Sequence, residues 1–259
     1  MQGRIGESLL TSLFTWTYPV EVLVTIGQMG PESSGRFSAA GPPGSNGSVT
    51  WPGVYDRAMS TQAEVAAFVL AGGKSTRMGT DKAFVTLDGR TLVARALDLA
   101  RSVTSDVRIV GESRKLAALA PVVEDEFPGC GPLGGIHAAL RSSTCDLNVI
   151  VAVDLPFISS ALLQFLIGRA RDSAAVVIVP RTVHGWQPLC AIYRREFANL
   201  ADTALRAGRY KVDALFAEAR VEAIGEDALR SGGFGPELFR NLNTPEDLAE
   251  ARAENHESH

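Results

Sequence analysis

From Val65 onward, short apolar runs alternate along the chain with longer stretches whose apolar positions recur at helical spacing. The runs VAAFVL (65–70), VRIV (107–110), LNVIVAV (147–153), AAVVIV (174–179) and LCAIY (189–193) are short and almost unbroken, as strands buried on both faces of a sheet should be. Between them, residues 91–101 (TLVARALDLAR), 159–171 and 194–207 predict helices with one apolar face. This alternation of strand and helix predicts an α/β fold, a three-layer αβα arrangement around a mainly parallel, Rossmann-like sheet. Gly131-Pro132 predicts a further helix running to Arg141, with Pro132 in its first turn. In Thr244-Pro245-Glu246-Asp247, Thr stands at an N-cap, Pro at the first helical position and acids in the first turn, so a last helix should open there.

The first sixty residues follow a different rule. Residues 31–53 are crowded with Gly, Pro and Ser, a composition that buries too little apolar surface to offset its ordering entropy. The preceding VEVLVTIG (20–27) could form a short strand, but it has no evident sheet to join. Residues 1–62 are therefore expected to be a disordered extension and residues 63–255 the folded domain. Met59 lies just before the domain and is an alternative start that would leave 1–58 out of the native protein.

Composition narrows the function classes. With 259 residues, 46% hydrophobic and 21% charged, the chain is neither wholly disordered nor fibrous. A net charge of −4 and the lack of a basic stripe argue against nucleic acid as a partner. The three cysteines, Cys130, Cys145 and Cys190, are widely spaced with no C-x-x-C, which fits a reducing cytoplasm and neither a disulfide framework nor a zinc site. No apolar run approaches the roughly 20 residues of a membrane span, and the start lacks the order of a signal peptide, so a cytoplasmic protein with no membrane partner is expected.

Candidate chemistry begins directly after the first strand, in Leu70-Ala-Gly-Gly-Lys-Ser-Thr-Arg-Met-Gly-Thr-Asp-Lys82. The C-terminal ends of strands are where open α/β sheets bind ligands, and paired glycines let backbone N–H groups approach an anion closely. The segment is not a Walker A loop, since position 68 is Phe, and not a dinucleotide loop, since Lys74 follows Gly72-Gly73. It adds three cations, Lys74, Arg77 and Lys82, of the kind that phosphoryl and nucleotidyl transfer require where negative charge develops. A solvated basic loop behind a buried strand would read the same way. Asp154 stands at the exit of the apolar run 147–153, where packing gives no reason for an acid. A helix N-terminal acid before Leu155-Pro156 is the plainer alternative.

The pattern L-A-G-G-x-S-x-R-M-G-x-D-K resembles the signature loop of the molybdenum cofactor guanylyltransferases, nucleotidyltransferases of glycosyltransferase-A-like fold. Further segments agree in order: Gly131-Pro-Leu-Gly-Gly135, Val153-Asp-Leu-Pro156, Gln187-Pro-Leu-Cys190 with Tyr193, and Phe239-Arg-Asn-Leu-Asn-Thr-Pro-Glu-Asp-Leu248. The resemblance covers about residues 65–253. It implies nucleotide contacts from Leu70, Ala71, Gly72, Gly73, Lys82, Asp125, Gly131, Pro132, Leu133 and Asp154, with Arg77, Lys82 and Asp154 as catalytic residues. It implies acceptor contacts from His184, Gln187, Asn241 and Asn243, although Asn-x-Asn-Thr-Pro is also a sound turn and N-cap sequence. In an extended stretch the two asparagines should face the same side. The resemblance departs in one place: many family members have Asn after the second strand, where this chain reads Val110-Gly111-Glu112.

A carboxylate beside a triphosphate repels it unless a divalent cation lies between, so Asp154 reads as a ligand of Mg²⁺. The four histidines, His137, His184, His256 and His259, are scattered and make no metal cluster. The implied reaction joins GMP from GTP to the terminal phosphate of molybdopterin, carried as the molybdenum cofactor, and releases pyrophosphate; cofactor-synthesis proteins or molybdoenzymes are the implied protein partners. Two other readings stay open: a cytidylyltransferase or sugar-phosphate nucleotidyltransferase of the same fold, and a carrier that binds GTP or cofactor without turnover. Gly72-Gly73 favours guanine by resemblance, since the cytidylyl relatives more often have Ala-Gly there.

Overall fold

The computed structural model describes residues 65–72 and 81–257, so the expectations for residues 1–62, Gly73 and Arg77 lie outside the described residues. The chain forms β1 (Val65–Leu70), a 3-10 turn at Lys82–Phe84, β2 (Thr86–Leu87), β3 (Arg90–Thr91), α1 (Leu92–Arg101), β4 (Asp106–Val110), α2 (Ser113–Leu116) and β5 (Val122–Val123). It continues through α3 (Pro132–Ser142), β6 (Leu147–Ala152), α4 (Ser160–Asp172), β7 (Val177–Thr182), β8 (Gly185–Trp186), β9 (Cys190–Arg194) and α5 (Phe197–Arg206). After a 3-10 turn at Asp213–Ala217 come β10 (Val221–Ile224), α6 (Glu226–Ser231), a 3-10 turn at Pro236–Phe239 and α7 (Pro245–Glu257).

The main sheet runs β10-β7-β9-β6-β1-β4-β5, with β8 paired to β7 alone. β1 pairs in parallel with both β4 and β6, and β4 with β5. The chain thus builds outward from β1 on one side, then returns to build on the other. That reversal leaves a crevice beyond the C-terminal ends of β1 and its neighbours, the place where such sheets take ligands. The α/β reading and the mainly parallel sheet hold, with two reversals: β9 is antiparallel to both β6 and β7, and β8 is antiparallel to β7.

Period-2 alternation explains the layers. Ala67 and Val69 of β1 face a core shared with α1, α4 and α7, while Ala66, Phe68 and Leu70 face a second core shared with α3 and α5. All six residues of β6 are buried, which is why its run reads as unbroken rather than alternating. Thr91 and Ser159 cap α1 and α4, accepting from the N–H of Ala94 at 3.3 Å and of Leu162 at 3.2 Å.

Four of the five predicted strands depart from their expected bounds, two of them by one residue: β4 begins at Asp106 and β6 ends at Ala152. The run at 174–179 enters the sheet only at Val177 and continues through polar Arg181 and Thr182 because these pair with Trp186 and Gly185 of β8. The run at 189–193 becomes Cys190–Arg194. The short hairpin β2–β3 turns at Asp88 (φ 52°) and Gly89 (φ 74°), the conformation that an Asp-Gly pair favours. The three cysteines are free thiols, and burial pushes the Cys190 thiol up to about 12, far from reactivity. Among the described residues, no helix is long and apolar enough to cross a membrane.

Phe68 is fully buried on the central strand, with the Arg108 guanidinium 5.7 Å from its ring centroid. Phe68→Ala removes a large side chain from a close-packed layer and is expected to lower stability by about 3–5 kcal/mol, read as a shifted midpoint in urea.

Candidate active site

The sheet delivers its first site residues through ordinary ladder bonds. Val153 N–H donates to Leu70 O at 3.2 Å and Ala71 N–H to Val110 O at 3.0 Å, so β1 leaves the sheet held by both neighbours. Leu70 is buried there, Ala71 half-buried and Gly72 exposed. A Cβ on Gly111 would lie 2.7 Å from Leu116 Cδ1. A side chain at position 111 would therefore displace Leu116.

Lys82 reaches the crevice from the 3-10 turn behind the glycine-rich segment. Asp81 caps that turn, its Oδ1 accepting from Ala83 N–H at 3.3 Å, and its Oδ2 accepts from Lys115 Nζ at 3.0 Å. Asp81, joined by Glu112, holds the Lys115 ammonium above the ordinary lysine value. Lys82 Nζ donates to Asp154 Oδ2 at 3.0 Å and to Asn243 Oδ1 at 2.7 Å. Only 15% of the Lys82 side chain and 23% of the Asp154 side chain are exposed, so the crevice wall screens the pair less than bulk water would.

Asn243 is brought to this point by two attachments. Leu242 N–H donates to Asp154 O at 3.0 Å and its side chain is buried, which leaves Asn241 and Asn243 on the exposed side of the extended stretch. Thr244 then caps α7, its Oγ1 accepting from Asp247 N–H at 3.1 Å. In return Asp247 Oδ2 accepts from Asn243 N–H at 2.7 Å and Thr244 N–H at 2.9 Å, and these backbone donors, Asn243 foremost, hold the Asp247 carboxyl below the usual carboxylate range.

The other oxygen of Asp154 is different. Asp154 Oδ1 is buried and has no hydrogen-bond partner among the described residues. A buried carboxylate oxygen without a donor carries a desolvation cost that a hard cation would relieve. Among the described residues there is no group of three or more His, Cys, Asp or Glu side chains that could hold a metal alone. The residues present therefore fit an ion such as Mg²⁺ that takes one carboxylate from protein and the rest from phosphates and water.

Beyond β5, Asp125 turns inward while its neighbours Glu124 and Glu126 are exposed. Its Oδ1 accepts from Phe127 N–H at 2.8 Å, and the carboxylate lies against the first turn of α3, where a Cβ on Gly134 would sit 2.6 Å from Asp125 Oδ2. Gly131, at φ 71°, starts that helix with Pro132 behind it. Leu133 is fully buried in the core. His184 and Gln187 belong to the β7–β8 hairpin, which rises at the same end of the sheet as Asp154 because β7 and β6 run in the same direction on either side of β9. Thr182 organises the hairpin, its Oγ1 accepting from His184 N–H and Gln187 Nε2, each at 3.2 Å.

The structure thus joins Lys82, Asp154 and Asn243 directly, sets Leu70–Gly72 beside them, and leaves the α3 turn and the hairpin as separate walls. Asp247 and Thr182 emerge as supports of the site, a role the sequence analysis assigns to neither. Thr-Pro-Glu-Asp spells a capping box and is the signal that finds Asp247; a lone Thr ending a strand carries none for Thr182.

Residues 67–222 match the family model described as the MobA-like NTP transferase domain. The chain is 39% identical over 194 residues to the molybdenum cofactor guanylyltransferase of Desulfosudis oleivorans, spanning 73% of this chain and 95% of that protein. It is 35% identical over 191 residues to the probable molybdenum cofactor guanylyltransferase of Pelotomaculum thermopropionicum, spanning 73% and 92%. The solved structure of molybdopterin-guanine dinucleotide biosynthesis protein A from Archaeoglobus fulgidus superposes with a TM-score of 0.66 at 26% identity, covering 74% of this chain and 99% of that one.

Proposed function

The chain belongs to the MobA-like NTP transferase family, and on that footing we propose that it transfers GMP from GTP to the terminal phosphate of molybdopterin, forming the guanine dinucleotide cofactor and releasing pyrophosphate. The observation that carries this reading is the Lys82 ammonium held on Asp154 Oδ2 and Asn243 Oδ1 at the switch point of the sheet, at the end of a glycine-rich stretch of sequence.

An oxygen of the acceptor phosphate attacks the α-phosphorus of GTP, and the bond from that phosphorus to the pyrophosphate oxygen breaks. The acceptor is a phosphate monoester with a second pKa of about 6, so at neutral pH it is mostly dianionic and no protein base has to remove a proton. The protein's work is therefore alignment and charge compensation. Lys82 supplies fixed positive charge to the phosphates, and Arg77 in the glycine-rich segment adds a second cation. Asp154 Oδ1 would hold Mg²⁺, which when bound supplies charge compensation between the phosphates of nucleotide and acceptor. The backbone of Leu70–Gly73 and of Gly131–Leu133, with Asp125, forms the nucleotide side; His184, Gln187, Asn241 and Asn243 form the acceptor side.

Pyrophosphate release by the full chain with Mg²⁺ tests the reading, comparing GTP, CTP, ATP and UTP with and without molybdenum cofactor. Release is expected only with GTP and cofactor together. Release with CTP instead would keep the fold and mechanism and move the base specificity; silence with all four from folded protein would favour the carrier.

A further inference from the structure

Asp247 does more than close a helix. In an ordinary capping box the acid three residues into the helix accepts from the N-cap N–H alone. Here Oδ2 of Asp247 accepts from Thr244 N–H at 2.9 Å and, more closely at 2.7 Å, from Asn243 N–H, one residue before the cap. Asn243 is the residue whose side-chain oxygen accepts from Lys82 Nζ at 2.7 Å. Asp154 is tied to the same strip of chain by its own carbonyl, which accepts from Leu242 N–H at 3.0 Å. Backbone restraint on both sides of Asn243 therefore decides where its amide, and with it the Lys82 ammonium, stands relative to Asp154.

We propose that Asp247 is a positioning residue for nucleotidyl transfer: its carboxylate fixes the backbone of Asn243 and Thr244 so that Asn243 holds Lys82 at the Asp154 carboxylate. Asp247 makes no hydrogen bond to Lys82 or Asp154 among these contacts; beyond a longer-range attraction to the Lys82 charge, it acts through Asn243. The catalytic half of this inference rests on the nucleotidyltransferase reading above; the structural half, that Asp247 sets the bond between Asn243 and Lys82, does not.

The test uses the full chain and four variants: Asp247→Ala, Asp247→Asn, Asn243→Ala and the double variant Asp247→Ala/Asn243→Ala. The donors that Asp247 serves lie near the surface and can turn to water, so the fold is expected to survive. In GTP-dependent pyrophosphate release, Asp247→Ala is expected to lower kcat by about 30-fold, within the range that misplacement of a catalytic group by about 1 Å costs. KM for GTP should stay within about threefold, since an interaction that matters in the transition state is lost and not uniform binding. Asp247→Asn keeps an oxygen able to accept both N–H groups and should recover most of the rate. The double variant should be no slower than Asn243→Ala alone, because the two act as one unit.

Additive losses in the double variant, or an unchanged kcat, would reduce Asp247 to a helix cap and overturn the proposal. An activity-independent readout separates this from failure of the functional reading. In the ligand-free protein the side-chain amide resonance of Asn243 reports its bond to Lys82, and Asp247→Ala should move it toward its position in Lys82→Ala. If the unaltered chain releases no pyrophosphate, the enzymatic reading fails and this resonance still decides the structural half: an unmoved signal sinks it.

Discussion

Asp154→Asn is expected to slow GTP-dependent pyrophosphate release by about three orders of magnitude, while the protein stays folded. The size follows from the several kcal/mol of charge stabilisation that a catalytic metal supplies, at about 1.4 kcal/mol for each factor of ten. The choice of asparagine isolates the effect. Lys82 Nζ lies 3.0 Å from Asp154 Oδ2, and the amide oxygen of asparagine can still accept that bond, so the half-buried ammonium keeps a partner. The attachment of the Asn243 strip uses the backbone carbonyl of residue 154 and survives the substitution. What disappears is the negative charge at Oδ1, the buried oxygen that no donor among the described residues satisfies. The variant should accordingly need far more Mg²⁺ for its residual rate, which a Mg²⁺ titration reads directly. Activity within tenfold of the unaltered chain, with unchanged Mg²⁺ dependence, would mean that Asp154 does not hold the metal.

The same residue shows why much of the site can be read from sequence. Asp154 follows a run of seven residues of which six are apolar, and a strand buried on both faces has no packing use for an acid at its exit. The topology then puts that exit beside β1, because β6 is the strand added at the reversal point. Lys82 and Asn243 were each legible as candidates, yet 161 positions separate them in the chain, and no periodicity or spacing states that their side chains meet at 2.7 Å. Asp247 was hidden by a different cause: an acid in the first helical turn has an adequate local explanation, and its second bond, to Asn243 N–H, depends on how the preceding strip is pinned to Asp154. The antiparallel direction of β9 was equally silent, since an apolar strand buried on both faces looks alike in either direction. β5, β8 and β10 span two to four residues, too short for a period to register, and owe their strand form to neighbours in the sheet.

Lys82→Ala is expected to lower kcat/KM for GTP by about 10²–10³-fold, the range observed when one preorganised donor to a developing negative charge is removed. Three features of the environment make the loss large. The ammonium is mostly shielded from solvent, so its field on a nearby phosphate is weakened less than that of a surface lysine. Asp154 Oδ2 and Asn243 Oδ1 both hold its direction, so little has to reorganise when charge develops. Water admitted in place of the side chain screens charge but cannot supply a fixed cation. Lys82→Arg should recover only part of the rate, because the planar guanidinium cannot occupy the position of a compact ammonium between Asp154 and Asn243. Equilibrium binding of GTP separates the two contributions: a loss mainly in kcat with near-normal binding places Lys82 on the transition state, whereas a loss confined to binding makes it a nucleotide anchor with no part in the chemical step. Full activity in Lys82→Ala would remove the cation from the mechanism and, with it, the reason for Asn243 to be held where Asp247 holds it.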